Sequence, residues 1–391
     1  MNRNVWLLSL CQALLMTGNI LLISVIGLIG KQIAPSVSMI TLPVALQFLG
    51  LMCATIPASL ISGKLGRKRG FSIGNMVGIT GASLATYALT IQSFPLFCFA
   101  TFLLGIGIGF GTLYRFAAIE VCNEDARHRA ISISMAGGVL AAVLGPNLAI
   151  MSQEWSQGGL YIGAFASLIA LNILALIILQ TIQFPKVSLD NQARKADNLS
   201  SIIKAPNFVG AVFAAMVAYA VMNILMTATP LAMIGCGFDF TKAAGVIEWH
   251  VLGMFVPAFF TGHLIEKFGA RVMILAGGIL FVVCIAINIH GESIWHFRSA
   301  LVLLGVGWNF MFIAATGLFS QSYEPQNKAK AQAFNEFVVF GCVTITAMLS
   351  GWLESTVGWQ SLNIYVLPFV IMVMAWFAVN AKKSRIQKQI I

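Results

Sequence analysis

Glu248 and His250 stand at the head of an apolar run, IEWHVLGMFVPAFFTGHLIEKFGAR (residues 247–271), that closes in a glycine-spaced charged turn. Within lipid an ionisable side chain is costly unless it is paired or wetted, so its presence there points to function. A carboxylate or an imidazole in such a place could take up and release a proton, the chemistry needed for coupling to a proton gradient. Glu336, beside Asn335 in the apolar run 331–352, is a third candidate for that work.

Arg115 offers a different chemistry. It lies about seven residues, or roughly 10 Å, inside the end of the apolar run 94–122. Its forked donors could clamp a carboxylate or phosphate, or the side chain could snorkel to the interface and pair with Glu120 or Glu124. Uncharged polar residues complete the set: Asn19, Gln47, Asn223 and Asn309, with Gln12 and Tyr219 as further lining candidates. Ligand contact and interhelical hydrogen bonding are both open to the two asparagines Asn19 and Asn223. The abundant Phe and Met residues read as packing and lipid-facing side chains.

The elements that must hold these residues are membrane spans. The chain has 391 residues, is 59% hydrophobic and only 9% charged, and its mean hydropathy is +0.89, outside the range of soluble domains. Helical spans are expected at 5–30, 39–62, 71–92, 95–121, 130–151, 159–183, 206–230, 242–262, 271–290, 298–321, 331–352 and 361–380, because the runs lack the alternation of barrel strands. The run at 5–30 is too long for the apolar core of a cleavable signal and reads as the first span. A polar stretch, FPKVSLDNQARKADNLSSIIKAP, follows the sixth span, so the expected organisation is a bundle at 1–183, a linker at 184–205, a second bundle at 206–380 and a basic tail at 381–391.

Net charge is +10. With the N-terminus in the cytoplasm only Lys31, Lys242 and Arg298 fall outside, and apart from Arg115 every other Lys and Arg lies inside, which predicts both termini cytoplasmic. The basic balance therefore speaks of a membrane and not of nucleic acid. The seven cysteines show no CxxC spacing and no His nearby, so neither a disulfide nor a metal is expected. No P-loop, HExxH or GxSxG pattern occurs, so the chain is read as no enzyme and as needing no cofactor.

The halves are copies. Asn19-Ile20-Leu21 matches Asn223-Ile224-Leu225 at an offset of 204, Gln47-x-Leu49-Gly50 matches His250-x-Leu252-Gly253 at 203, and Leu103-Leu104-Gly105-x-Gly107 matches Leu303-Leu304-Gly305-x-Gly307 at 200. The charged turns repeat too, with Gly262, Glu266, Lys267, Gly269 and Arg271 answering Ser59, Gly63, Lys64, Gly66 and Lys68. An all-α membrane protein of twelve helices in two pseudo-symmetric six-helix bundles follows, each bundle a nested inverted pair.

These turns resemble the G-x-x-x-D-R-x-G-R-K/R motif of the major facilitator superfamily, and the resemblance covers the whole chain. Glu266 takes the place of the acid in the second copy and Ala270 that of one basic residue; in the first copy Gly63 stands where the acid would be. The resemblance implies a cytoplasmic gate built from Gly262, Glu266, Lys267, Gly269, Arg271, Lys64 and Arg67, and a central cavity lined by the first, fourth, seventh and tenth spans. GGVLAAVLGPNLA is similar to the glycine-rich element of proton-driven exporters through Gly137, Gly145 and Pro146, but Ala141 replaces a glycine and Thr101 stands where many drug exporters carry an arginine.

The expected function is secondary transport of a small organic solute by alternating access, coupled to protons, in a bacterial inner membrane. Arg115 tilts the expected solute toward organic anions such as carboxylate metabolites or carboxylate siderophores. Direction stays open. The competing readings are a proton-driven efflux carrier for drugs or other amphipathic compounds, and a receptor of the same fold that transports nothing. Expected partners are the solute, protons and membrane lipid, with the chain acting as a monomer.

Overall fold

The structure is a computed structural model, and it describes residues 3–114, 117, 121, 127–154, 161–184, 203–204, 207–324 and 327–389. Every regular element among them is helical. In the first half these are α1 (Arg3–Ile33), α2 (Leu42–Leu65), α3 (Arg67–Thr90), α4 (Phe94–Gly111), α5 (Arg127–Glu154) and α6 (Ile162–Gln180). In the second they are α7 (Phe208–Gly235), α8 (Phe240–Phe255), α9 (Ala258–Phe268), α10 (Ala270–His290), α11 (Ile294–Ser320) and α12 (Lys328–Gln389).

Eight of these helices are long and apolar enough to cross a membrane, and the pair α8 and α9, bent by 42°, makes a ninth crossing. Pro257 explains the bend, because it has no N–H to give the preceding turn. Helices α3 and α5 are more polar or more glycine-rich but equally long. The 62 residues of α12 are two passes joined at Gly358. Twelve crossings result, as the hydropathy pattern predicts. Lipid offers no partner to a backbone amide, so each crossing satisfies its own.

Three of the turns share one backbone solution. Gly66 (φ 88°), Gly269 (φ 85°) and Gly358 (φ 81°) each have ψ near 150–166° and join consecutive helices. This region is open to glycine almost alone. Gly66 and Gly269 are the repeated glycines of the charged turns, so sequence symmetry and backbone symmetry coincide there. Gly358 has no such signature in its neighbours.

Packing repeats as closely as the turns do. In the first copy a Cβ on Gly105 would overlap the Gln47 carbonyl, and one on Gly50 the Phe102 carbonyl. The matched residues of the second copy do the same: Gly305 lies on the His250 carbonyl and Gly253 on that of Val302. Gly107 sits against the Gly74 carbonyl, as Gly307 does against that of Gly277. In lipid no hydrophobic force draws helices together, so close van der Waals approach through small residues must hold them.

The chain forms two compact units: Met1–Asp190 with Thr227–Glu248 and Ala347–Ser355, and Asn191–Met226 with Trp249–Thr346 and Thr356–Ile391. Within the first, Thr41 at the head of α2 donates its hydroxyl to the Met348 carbonyl (3.0 Å) and accepts from the Gly351 N–H (3.2 Å). The rings of Tyr161 and Phe240 meet edge to face at 5.4 Å. These contacts draw one end of α7, the start of α8 and the middle of α12 into that unit.

Because the carbonyls under Gly105 and Gly305 cannot retreat, Gly105→Ala and Gly305→Ala should each destabilise the protein by about 1–3 kcal/mol. Gly317→Ala, with open space around it, should not. Thermal unfolding of the detergent-solubilised variants checks this, and equal melting temperatures for all three would contradict it.

Candidate functional site

In the first unit the polar groups centre on α1 and α2. Gln47 donates its Nε2 to Asn19 Oδ1 at 2.7 Å. Asn19 also borders a cavity of about 30 Å³ with Leu15, Asn75, Gly78, Ile108 and Asn172. Asn75 is held by the Phe71 carbonyl (2.9 Å) and the Tyr114 hydroxyl (2.7 Å), so the wall is firm. Gln12 Oε1 and Gln47 Oε1 are buried with no hydrogen-bond partner.

His250 occupies the place of Gln47 in the second unit. It is 0% exposed, and its Nδ1 lies 2.8 Å from the Leu301 carbonyl. A carbonyl only accepts, so Nδ1 carries the proton and Nε2 presents a lone pair. Nε2 is buried and has no partner. The two matched positions thus each bring an unpaired acceptor into the bundle, but only the second can hold a proton.

Glu248 does not join His250. Residues two apart on a helix face different ways, and Glu248 receives a hydrogen bond from Asn147 Nδ2 at 3.3 Å in the first unit. Arg298, on the helix that carries Leu301, lies over the rings of Trp249 (5.9 Å) and Trp295 (5.3 Å). Glu336 is half-buried and bonded to Asn335 Nδ2 at 3.5 Å. Arg115 lies outside the described residues, as do Glu120 and Glu124.

The remaining amides are spoken for. Asn309, 1% exposed, accepts from the Thr261 hydroxyl (2.6 Å) and donates to the Met254 carbonyl (2.7 Å). It therefore pins the α8–α9 bend from α11, a role that spacing along the chain does not reveal. Asn223 donates to the Val343 carbonyl and the Thr346 hydroxyl, both at 3.3 Å.

The residues expected to form a gate lie at the Gly66 turn of the first unit and around the Gly269 turn of the second. Glu266 and Lys64 are exposed and Arg67 is half-buried. Lys267 lies 5.3 Å from the Phe268 ring centroid, and Arg271 donates to Asn207 Oδ1 at 3.3 Å. Among the described residues no ion pair engages Glu266, and Gly262 has open space around it.

Sequence reasoning passed over an aromatic cluster in the second unit. Tyr219 on α7 meets Trp308, Phe312 and Phe340 edge to face at 5.5, 5.4 and 5.6 Å. Trp308 and Phe312, one turn apart on α11, stack at 5.0 Å with 11° between planes. The available signal was the repeat itself, since the matched first-copy residues Leu15, Ile108 and Thr112 are not aromatic.

Comparisons with known proteins agree with this architecture. The family model described as Major Facilitator Superfamily matches residues 8–256 and 246–390. Riboflavin transporter RfnT of Brucella anthropi is 37% identical over 374 residues, 95% of this chain and 94% of that one. The uncharacterized MFS-type transporter YddS of Bacillus subtilis is 30% identical over 328 residues, 79% and 75% of the two chains. Among solved structures, a variant of nucleoside transporter NupG superposes with a TM-score of 0.71 at 13% identity, covering 95% of this chain and 99% of that one. A variant of the E. coli fucose:proton symporter FucP gives 0.62 at 16%, covering 95% and 98%. Likeness at this identity speaks for the fold alone.

Asn309→Leu removes both of the contacts that α11 makes at the bend and strands the buried Met254 carbonyl, while the Thr261 hydroxyl keeps the Pro257 carbonyl. It should cost about 1–3 kcal/mol of stability, read as a lowered melting temperature, whereas an unchanged value would deny Asn309 its structural role.

Proposed function

Because the chain belongs to the major facilitator superfamily, we propose that it is a secondary transporter of riboflavin or a closely related flavin, working by alternating access in a bacterial cytoplasmic membrane. One observation carries the substrate: the 37% identity to a riboflavin transporter runs along nearly the full length of both chains. The side chains support it. In the first unit Asn19 and Gln47 offer amides without fixed charge, and an uncharged ring system bearing a polyhydroxylated chain is recognised by such donors and acceptors. The organic-anion expectation rested on Arg115, and it gives way here to a neutral heteroaromatic solute.

His250 is the residue this reading assigns to the proton. Its Nε2 is a buried acceptor with no partner, its ring is oriented by the Leu301 carbonyl, and Gln47 holds the matched place in the first copy without being titratable. Proton binding would put a charge where none is compensated, so the loaded and empty states would differ in energy enough to favour different conformations. The excess of Lys and Arg at the Gly66 turn and at the Gly269 turn supports placing each of these turns in the cytoplasm.

The test uses bacterial cells and inverted vesicles with labelled riboflavin, followed in both directions. The wild-type protein should move riboflavin against its gradient, and a protonophore should abolish that accumulation. His250→Gln, which copies the first half, should lose accumulation while keeping exchange of labelled for unlabelled riboflavin. Accumulation indifferent to protonophore would remove the proton, and no riboflavin movement in either direction would remove the substrate.

A further inference from the structure

The duplication provides an internal comparison. Where the first copy has Leu15 and Ile108 beside Asn19, around a cavity of about 30 Å³, the second has Tyr219 and Trp308 beside Asn223. Phe312 stands where the first copy has Thr112. The glycine-on-carbonyl contacts around these residues repeat in both copies, so those close approaches do not account for the change.

Two features set these rings apart from ordinary core packing. Tyr219, Phe312 and Phe340 are only half-buried, although α7 is among the most enclosed helices, with 78% of its most apolar window buried. Trp308 is 8% exposed, and its indole Nε1 has no hydrogen-bond partner. A buried indole N–H usually finds an acceptor, and leaving one unmade is costly.

We infer that Tyr219, Trp308, Phe312 and Phe340 form a ring-stacking subsite for an uncharged heteroaromatic ring that carries carbonyl groups, with the Trp308 indole N–H donating to a ring carbonyl oxygen. The identity of that ring as a flavin rests on the function proposed above. The near-parallel Trp308 and Phe312 rings give a planar ligand a π-stack to extend, and Tyr219, edge-on to both, closes its side. Stacking selects for flatness and the single donor selects for a carbonyl, so a sugar or a flexible aliphatic acid would gain little here.

The full-length protein in detergent is titrated with riboflavin, whose fluorescence is quenched when its ring stacks on tryptophan. The wild-type protein should quench it saturably. Trp308→Phe keeps a ring and loses the N–H, and should bind about five- to tenfold more weakly; Tyr219→Leu should bind more weakly still. Ile279→Val, on the exposed face of α10, should bind as the wild type does. Lumichrome, which has the ring without the polyol chain, should compete, and ribitol should not. Wild-type affinity in both Trp308→Phe and Tyr219→Leu would overturn the subsite and leave the flavin reading standing. Absence of saturable quenching by the wild-type protein would overturn the flavin reading itself. If Trp308→Phe does not give a monodisperse protein, Phe340→Leu replaces it with the same expected weakening, and wild-type affinity there would overturn the subsite in the same way.

Discussion

The structure depends on helices lying close enough for a glycine on one to rest on a backbone carbonyl of the next. At two matched places that carbonyl belongs to a functional candidate: Gly105 lies on that of Gln47 and Gly305 on that of His250. Fixing the carbonyl fixes the Cα, and with it the direction in which the side chain leaves the helix. The ring of His250 is then oriented by Leu301, one turn from Gly305 on the same face. A contact between two backbones thereby sets the position of a buried imidazole. In a bilayer, where apolar surfaces gain nothing by meeting, such close approach is what remains to hold helices in register.

Duplication supplies the frame and its departures supply the individuality. Backbone turns at Gly66 and Gly269 and the glycine contacts of both copies agree almost residue for residue. The side chains pointing inward from that frame do not. Gln47 becomes His250, Leu15 becomes Tyr219 and Ile108 becomes Trp308.

The bend between α8 and α9 illustrates how the second copy also departs in its backbone. Pro257 breaks the helix, while α2 runs unbroken through its own Pro57. At the break the Met254 carbonyl is taken up by Asn309 from α11, whose Oδ1 is in turn held by the Thr261 hydroxyl one turn past Pro257. Asn309 is polar for the sake of the backbone, although a polar residue within a span invites a functional reading.

Helical class, the number of crossings, the doubled plan and its charged turns were all written in the sequence, because each is a local pattern: a run of apolar residues, a glycine at a fixed step, a basic cluster next to a turn. Partnership was decided only in three dimensions. Glu248 and His250 are neighbours in the chain and part company on the helix, since two residues turn the side chain through roughly 200°. Asn19 finds Gln47, Thr261 finds Asn309, and Tyr219 finds Trp308 and Phe340 across distances along the chain that no periodicity encodes. Whether a buried polar atom is satisfied or left open to a ligand depends on those meetings, and so the folded chain alone shows that Nε2 of His250 and the indole N–H of Trp308 are unclaimed.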